Sequence, residues 1–519
     1  MNRWFPSLFS VVILMTMACL YFGIFTDLDW TWQVRTGKQI LDTGSLRVVD
    51  DLSYTIRGTH LHDFEWLYEV ALWLVWDAFG MGGLKFLRVA LNLAPILIVA
   101  RRLTRENVPW HGVCLTIFAT LFVLNPVLNL RPLFCTTIGL LLISGWLHEH
   151  CVGRRPLSWW TPIVMLVWAN CHPGVICGQA LIVGAIGWEW INARLRLNAP
   201  VAGPGLKRLT LIGMLALAAT FICPDPIERI RYTFNPTLAH PIHRIFTEMQ
   251  PLVSLIDRPP YNFACIYLAA ALTLWTIVFR FRQYRLWEIA YLAALALLGN
   301  FATRSAMDWY LNLVAFGVPH LLRSPSRPED SDGSGERSYK GWAFRIETDL
   351  KRMFARPLFR LQPRWLVGGL AILFVVSVIP PLSRDMPMQD ADQWPIAAVA
   401  FMEREQVSGN IFGPSHNATY AIWKLKDKAR SYADTRSFFF PPVLIEDTYY
   451  LPMLEGDWRP RLKRVLDDYA TDYFLLEIDG PRGELWRAAA PRIPNPIHLD
   501  DRNVLLSAKQ VRHAFALDR

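Results

Sequence analysis

Long apolar runs alternating with short polar turns dominate the first three fifths of this chain. Ser7–Phe25, Leu84–Ala100, Pro132–Leu147 and Trp365–Pro380 are examples. Each approaches the ~20 residues that an α-helix needs to cross a bilayer core at about 1.5 Å per residue. On this pattern we predict eleven spans, at 7–25, 84–100, 111–127, 132–149, 159–169, 175–193, 208–223, 261–280, 285–300, 304–322 and 365–382. The stretch Phe64–Phe79 is also apolar, but it mixes Trp66, Trp73 and Trp76 with Glu65, Glu69 and Asp77. Acids at the centre of a bilayer are costly. It therefore reads as an amphipathic helix lying in the outer interface, with its indoles at headgroup level.

The polar remainder falls into two parts. Residues 323–364 carry ten Lys/Arg against six acids around SPSRPEDSDGSGERSYKG, which reads as a basic linker that meets anionic lipid headgroups. Residues 383–519 form a separate domain. Strands are predicted there at Tyr420–Trp423, Ala429–Ala433 and Tyr473–Ile478, and helices at Trp458–Tyr469 and Arg482–Ala489. The predicted fold class is thus mainly α: a polytopic membrane helical bundle (1–322 and 365–382) with a small C-terminal α/β domain. The first outside loop covers 26–83.

Charge supplies the orientation. The loops placed inside by this scheme, together with Arg3, hold 13 Lys/Arg (Arg101, Arg102, Arg105, Arg154, Arg155, Arg194, Arg196, Lys207, Arg208, Arg280, Arg282 and Arg285 are the others) and one acid, Glu106. Segment 26–66 reverses the balance, with four Lys/Arg against seven acids. One span too many or too few would invert everything downstream. The N-terminus and the linker are accordingly on the cytoplasmic side, and the C-terminal domain lies on the outside. No small-x-small cleavage site precedes Asp27, so the first run reads as an anchor rather than a signal peptide.

Composition fits this picture and narrows the function classes. The chain is 53% apolar and 19% charged, with a mean hydropathy of +0.22, which excludes an ordinary soluble enzyme, a coiled coil or a disordered chain. The net charge of +9 is not a nucleic-acid signal. From Ser383 onward the balance is 18 basic to 20 acidic residues, so the excess sits in the membrane-facing part, and no nucleic-acid-binding motif is present. All eight cysteines precede residue 266, so the outer domain forms no disulfides of its own. Cys171-His172 with Cys177 matches no standard zinc spacing and reads as packing.

Potentially catalytic residues gather on the outer face. The first loop holds Asp27-Leu28-Asp29-Trp30-Thr31-Trp32, then Asp50-Asp51, then His60-Leu61-His62-Asp63-Phe64-Glu65. Asp27 and Asp29 beside indoles suit sugar transfer: carboxylates bind a divalent cation, Mg or Mn, or take a proton from an acceptor, and Trp30 offers a flat apolar face to a sugar ring. A solvated acidic patch is the plain alternative. Arg131 and Arg304 fall at the depth of lipid phosphates, where they either bind a lipid-linked phosphate or snorkel to headgroups. Asn170 and His172 sit in the short turn Trp168-Ala169-Asn170-Cys171-His172-Pro173-Gly174, where His172 is either a substrate contact or a structural hydrogen-bonder.

Taken together, the inside-to-outside first helix, the acidic outside loop, the many spans and the terminal outer domain resemble the GT-C superfamily of integral-membrane glycosyltransferases. The segments DLDWTWQVRTGKQILDTG (27–44), DDLSYTIRG (50–58), DFEWLYEV (63–70), NLRP (129–132), WANCHPG (168–174) and ATRS (302–305) are similar to those of a bacterial GT-C-like group, as are Asn410-Ile411-Phe412, Tyr420-Ala421-Ile422-Trp423 and Asp434-Thr435-Arg436. Nearly the whole chain is covered. Two departures are the doubled Asp50-Asp51, where the group carries one Asp, and Cys-His-Pro at 171–173, where an apolar residue, His and Gly are usual.

The resemblance implies Asp27 or Asp29 as catalytic base or metal ligand, and Glu65 with Asp63 as a second acidic contribution. It implies Arg304 as the group that holds the donor phosphate. It also implies transfer of a sugar from a polyprenyl-phosphate donor to an acceptor outside the membrane. The alternative is a non-catalytic GT-C-like scaffold that binds lipid or partner membrane proteins. A transporter fits less well, because no paired half-sequences occur.

Overall fold

The computed structural model describes residues 8–22, 27–124, 129–196, 200–234, 242–255, 263–322, 363–378 and 394–517. The basic linker expected at 323–364 lies outside the described residues, except for Pro363 and Arg364, which open a helix. Chain contacts divide the protein into two compact units. The first comprises 1–23, 75–223 and 248–386, and the second 24–74, 224–247 and 387–519.

Among the described residues, the first unit is built of helices joined by short turns. Each of the eleven apolar stretches contains a helix: Leu8–Phe22, the second part of Trp66–Arg105, Trp110–Leu124, Leu133–Cys151, Trp160–Cys171, Val175–Leu195, Gly203–Ala219, Ala264–Phe279, Leu286–Phe301, Ala306–Leu322 and Pro363–Val378. Two of the described helices, Trp66–Arg105 and Val175–Leu195, are by length and composition able to cross a membrane on their own. Their apolar side chains merge into one large core that includes Leu140, Trp168, Ile182, Trp309 and Phe316. Small residues set the close crossings. A Cβ on Gly139 would fall 2.4 Å from the Trp168 ring, and one on Gly369 would fall 2.3 Å from Leu14, where the first and last apolar helices meet. Tyr21 and Ser377 share a buried hydrogen bond of 3.0 Å at the same crossing.

Several basic side chains of the proposed inner loops are paired rather than solvated. Arg105 meets Glu149 at 2.5 Å, Arg285 meets Glu189 at 3.0 Å, Arg154 bonds Glu106, and His148 bonds Glu288 at 2.5 Å. Glu106 was already counted among the inner loops, but periodicity hides Glu149, Glu189 and Glu288, since each sits at or near the end of an apolar run.

The helix Trp66–Arg105 is interrupted at Gly80, whose φ of 58° places it in a region where side-chain-bearing residues are strained. That break separates the tryptophan-rich segment from the apolar span that follows, at the place where the pattern of apolar and acidic residues changes.

The second unit is built on a five-stranded sheet. Its strands are β3 (Gly409–Phe412), β4 (Ala429–Ser431), β5 (Tyr473–Glu477), β6 (His498–Leu499) and β7 (Asn503–Ser507), in the order β4-β3-β5-β7-β6, and a separate hairpin pairs β1 (Val48–Val49) with β2 (His60–Leu61). β3 pairs in parallel with both β4 and β5, and β7 pairs antiparallel with β5 and β6. The expected strand at Tyr420–Trp423 is a correction: these residues belong to the helix Ser415–Leu425. Their aromatic and β-branched side chains favour a strand locally. A parallel β3–β4 pair, however, requires a crossover between its strands, and the helix supplies it. Strands β3 and β7 were not anticipated, whereas Ala429–Ser431 and Tyr473–Glu477 are strands within the expected ranges.

Candidate functional site

The first loop is largely helical. Asp29–Thr43 buries Trp30, Val34, Gly37 and Ile40 on one stripe and ends at Gly44 with φ 63°. At Gly37 a Cβ would lie 2.1 Å from the Glu69 carbonyl oxygen, so this glycine lets two helices touch backbone to backbone.

Within the second unit this loop is joined to the sheet. Leu52 accepts from Ser431 N at 3.0 Å, Tyr54 N donates to Ser431 at 3.1 Å, and Tyr54 and Thr471 share a hydroxyl hydrogen bond of 2.6 Å. Arg436 pairs with Asp50 at 2.7 Å and with Asp434 at 2.8 Å, all three being essentially buried. Burial alone would push the Asp434 carboxyl up. The Arg436 charge and its hydrogen bonds outweigh that and hold it below the usual carboxylate range. Asp50, half of the unusual doublet, thus fastens the loop to the domain, while Asp51 faces Arg35 at 3.5 Å.

The acidic residues start from that anchored frame. Asp27 Oδ1 accepts from Asp29 N at 3.0 Å, closing a turn at the start of the helix Asp29–Thr43. Asp29 Oδ1 accepts from Trp32 Nε1 at 3.4 Å. One turn on, the same helix face carries Gln33, whose Nε2 donates to Glu65 at 3.5 Å. Asp63 Oδ1 accepts from Glu65 N at 2.8 Å, next to the start of the helix Trp66–Arg105. Burial pushes the Asp63 carboxyl above its ordinary range, against the pull of the Glu65 N–H. Glu69, read from the sequence as one more acid of an interfacial helix, is buried, and burial followed by the charge of Asp63 pushes its carboxyl well above the ordinary range. Trp30 is 1% exposed and packs edge-on to Trp423, with ring centroids 5.0 Å apart. It supports the helix from within rather than offering a free face.

The second unit also has a cleft of about 130 Å³, lined by Phe246, Pro414, Ser415, Asp434, Tyr449 and Arg482 among others. It lies beyond the carboxyl ends of β3 and β4, the place where sheets with parallel strands present ligand-binding loops. His416 at its rim pairs with Glu477 at 3.0 Å, and that carboxyl is held low mainly by His416 against the effect of burial.

In the first unit, Arg131 and Arg304 converge on one short helical turn, Thr247–Met249: Arg131 pairs with Glu248, and Arg304 Nη1 reaches Met249 Sδ at 3.8 Å. Thr303 ties the same segment through Gln250 O, at 2.8 Å from its hydroxyl and 3.0 Å from its N–H. His172 Nδ1 accepts from Gly174 N at 3.0 Å and meets Thr136 Oγ1 at 2.7 Å. Burial, helped by the Arg304 charge, pushes its imidazole down to about 3, so it is neutral at physiological pH. Asn170 donates to Leu166 O at 2.8 Å and Ile222 O at 2.9 Å, bracing the turn. Lys85 and Arg88 were missed. They are 4% and 7% exposed, just beyond the Gly80 break, and Asn92, a turn after Arg88, donates to Asn129 O at 3.0 Å. The signal was in the sequence: two cations opening an apolar span.

Asp27, Asp29, Asp63 and Glu65 belong to the second unit, and Arg131, Asn170, His172 and Arg304 to the first. Among the described residues, the group whose ligand atoms lie close enough to share one metal ion is neither of these sets but His60, His62 and Asp225, in the second unit.

No protein-family model matches the chain, and no curated protein matches it in sequence. Solved structures do match. The oligosaccharyltransferase of Archaeoglobus fulgidus, tethered with an acceptor peptide containing the NVT sequon, superposes with a TM-score of 0.55 at 11% identity, over 95% of this chain and 71% of that one. The same archaeal enzyme, AglB, in complex with an inhibitory peptide and a dolichol-phosphate gives 0.53 at 11%, over 93% and 70%. ArnT from Cupriavidus metallidurans bound to undecaprenyl phosphate gives 0.50 at 12%, over 96% and 97%. The chain has the GT-C fold. At such identities the likeness establishes the fold, and it extends along nearly the whole length, including the C-terminal part.

Proposed function

We propose that this protein is a membrane glycosyltransferase that moves a sugar from a polyprenyl-phosphate-linked donor to an acceptor on the outer face of a bacterial cytoplasmic membrane. The observation that carries the reading is the GT-C fold over nearly the whole chain, shared with proteins solved with dolichol-phosphate and undecaprenyl phosphate. On this reading the chain crosses the membrane eleven times, with the linker 323–364 inside and the domain 383–519 outside.

Arg304 and Arg131, joined by Lys85 and Arg88, hold the donor phosphate by charge-assisted hydrogen bonds. Asp29 or Asp27 takes the proton of the acceptor hydroxyl or binds a divalent cation, Mg or Mn, with Glu65 oriented by Gln33 as its acidic neighbour. His172, neutral, positions the donor by hydrogen bonding, with Asn170 bracing its turn. Trp30 stiffens the acidic helix, and Asp63 fixes the start of the helix that carries Glu69. The cleft beside Ser415 and Arg482 receives part of the acceptor. The phosphate leaves with the electron pair of the glycosidic bond, so no nucleotide site is required.

The test uses purified full-length protein with polyprenyl-phosphate sugars, measuring release of polyprenyl phosphate. Asp29→Asn or Asp27→Asn should lower turnover by about a hundredfold or more if the residue serves as base. Binding of the lipid phosphate alone should survive both substitutions. Arg304→Leu should instead weaken that binding, by roughly the 1.5–3 kcal/mol of a hydrogen bond to a charged group. Turnover unchanged in both Asp variants would sink the acidic site. No turnover, with stable co-purification of other membrane proteins, would favour the scaffold.

A further inference from the structure

Hairpin β1–β2 packs Val48 and Leu61 against Ile40 in a small apolar cluster. Because side chains alternate along a strand, His60 and His62 then point to the face opposite Leu61. They are 37% and 48% exposed. Facing them is Asp225, which precedes the helix Pro226–Phe234 and whose carbonyl accepts from Arg229 N at 3.0 Å. His62 Nδ1 lies 2.9 Å from Asp225 Oδ2, and His60 Nε2 lies 3.7 Å from the same oxygen. All three ligand atoms are within 4.8 Å of one another.

The tautomer of His60 is set by its other nitrogen. Nδ1 lies 3.1 Å from the Val48 carbonyl, which can only accept, so Nδ1 carries a proton and, in the neutral ring, the lone pair is on Nε2, on the side of Asp225. A backbone carbonyl holding the distal nitrogen of an imidazole is the usual support of a metal-ligating histidine. A simple ion pair needs one imidazole for one carboxylate. Here two converge on a single oxygen, their ring centroids 5.0 Å apart. Nitrogen and oxygen ligands at about 2.0–2.1 Å in a tetrahedron sit roughly 3.3 Å from one another, so small rotations of three exposed side chains close the site.

We propose that His60 Nε2, His62 Nδ1 and a carboxylate oxygen of Asp225 bind one divalent transition-metal ion, zinc by preference. Two imidazoles and one carboxylate suit zinc rather than Mg or Ca, which take all-oxygen sets. Three protein ligands leave a fourth position open to water or an anionic group. The ion would join the first loop to the segment that begins at Asp225, and it is distinct from any cation at Asp27 and Asp29. The proposal does not depend on sugar transfer.

The test is metal content of the full-length protein, freed of any affinity tag, stripped with chelator and reloaded with zinc or cobalt. Wild type should hold about one zinc per chain more than His60→Gln/His62→Gln. The cobalt-loaded wild type should show the visible d–d bands of a tetrahedral site, and the double variant should not. In the wild type, zinc should also protect His60 and His62 from diethylpyrocarbonate, read by peptide mass spectrometry, which needs no variant to fold. Equal metal content in wild type and a folded double variant, or modification of both histidines unaffected by zinc, would overturn the proposal and leave a histidine–aspartate ion pair.

Discussion

Replacing Arg436 by Met should release the first loop from the C-terminal sheet. The guanidinium lies between Asp50 and Asp434 at 2.7 and 2.8 Å, with side-chain exposures of 3%, 0% and 1% for the three groups. Met is close to Arg in reach but leaves two buried carboxylates facing each other without a counter-charge. Removing one partner from a buried ionic cluster costs about 3–5 kcal/mol, far above the 0–1 of an exposed pair. For a unit of this size a shift of about 2–4 °C per kcal/mol turns that into a fall in Tm of roughly 6–20 °C. Asp50→Asn should cost less, because Arg436 keeps Asp434 and Asn can still accept from Ser53, whose N–H and hydroxyl lie 3.1 and 2.6 Å from Asp50. The sign with pH is fixed by Asp434. Its carboxyl is held low in the folded protein, so the cluster stabilises above the ordinary Asp value near 3.9, and that contribution is lost as pH falls through the folded value. Thermal melting of the detergent-solubilised protein from pH 3 to 8, with limited proteolysis mapping cleavage in 45–60, measures both effects. An Arg436→Met protein that melts within about 1 kcal/mol of wild type, with the loop still protected, would refute the reasoning.

Other substitutions probe separate contacts. Gly37→Ala should destabilise by the upper part of the 1–3 kcal/mol typical of overpacking, because its Cβ would meet the Glu69 carbonyl at 2.1 Å, whereas Gly184→Ala, with nothing within 4 Å, should stabilise by about 0.5–1 kcal/mol; thermal melting reads both. Asp63→Asn keeps the acceptor for Glu65 N and removes a charge that burial disfavours. With the folded value raised, the wild-type penalty is absent below the ordinary Asp value and grows as pH rises through the folded one. The Asn variant should therefore melt with wild type near pH 4 and above it at pH 8. A variant that melts below wild type at pH 8 would refute this reading.

What was legible in the sequence was mostly periodic. Apolar runs located the helices because each must bury a face, and the change from apolar to acidic around Trp66–Phe79 marked the break that Gly80 makes. The C-terminal domain was harder to read. Tyr420–Trp423 favours a strand by local propensity and is overridden by a parallel crossover that only the β3–β4 pairing imposes. Lys85 and Arg88 lay inside a run chosen for its apolar average, which conceals two cations at its first turn. The acidic loop was visible as charge, but the division of labour within it was not. Asp50 resembles its neighbours until Arg436, 386 positions away, is seen to bind it.

That long-range pairing changes what the C-terminal residues are for. The sequence suggests a separate domain at 383–519. In the folded chain the acidic loop completes the unit: Leu52 and Tyr54 hydrogen-bond Ser431 beside the sheet, Trp30 packs on Trp423, and Asp50 joins the Arg436 cluster. Asp27, Asp29 and Glu65 are therefore held in place by residues more than 350 positions downstream. A carboxylate that must meet an acceptor hydroxyl within hydrogen-bond reach needs a rigid base. A loop of this length on a membrane helix would not provide one, and the sheet does. On the glycosyltransferase reading, the C-terminal domain is then the support on which the acidic site is built, and variants that loosen its hold on the loop should lose turnover before they lose the lipid.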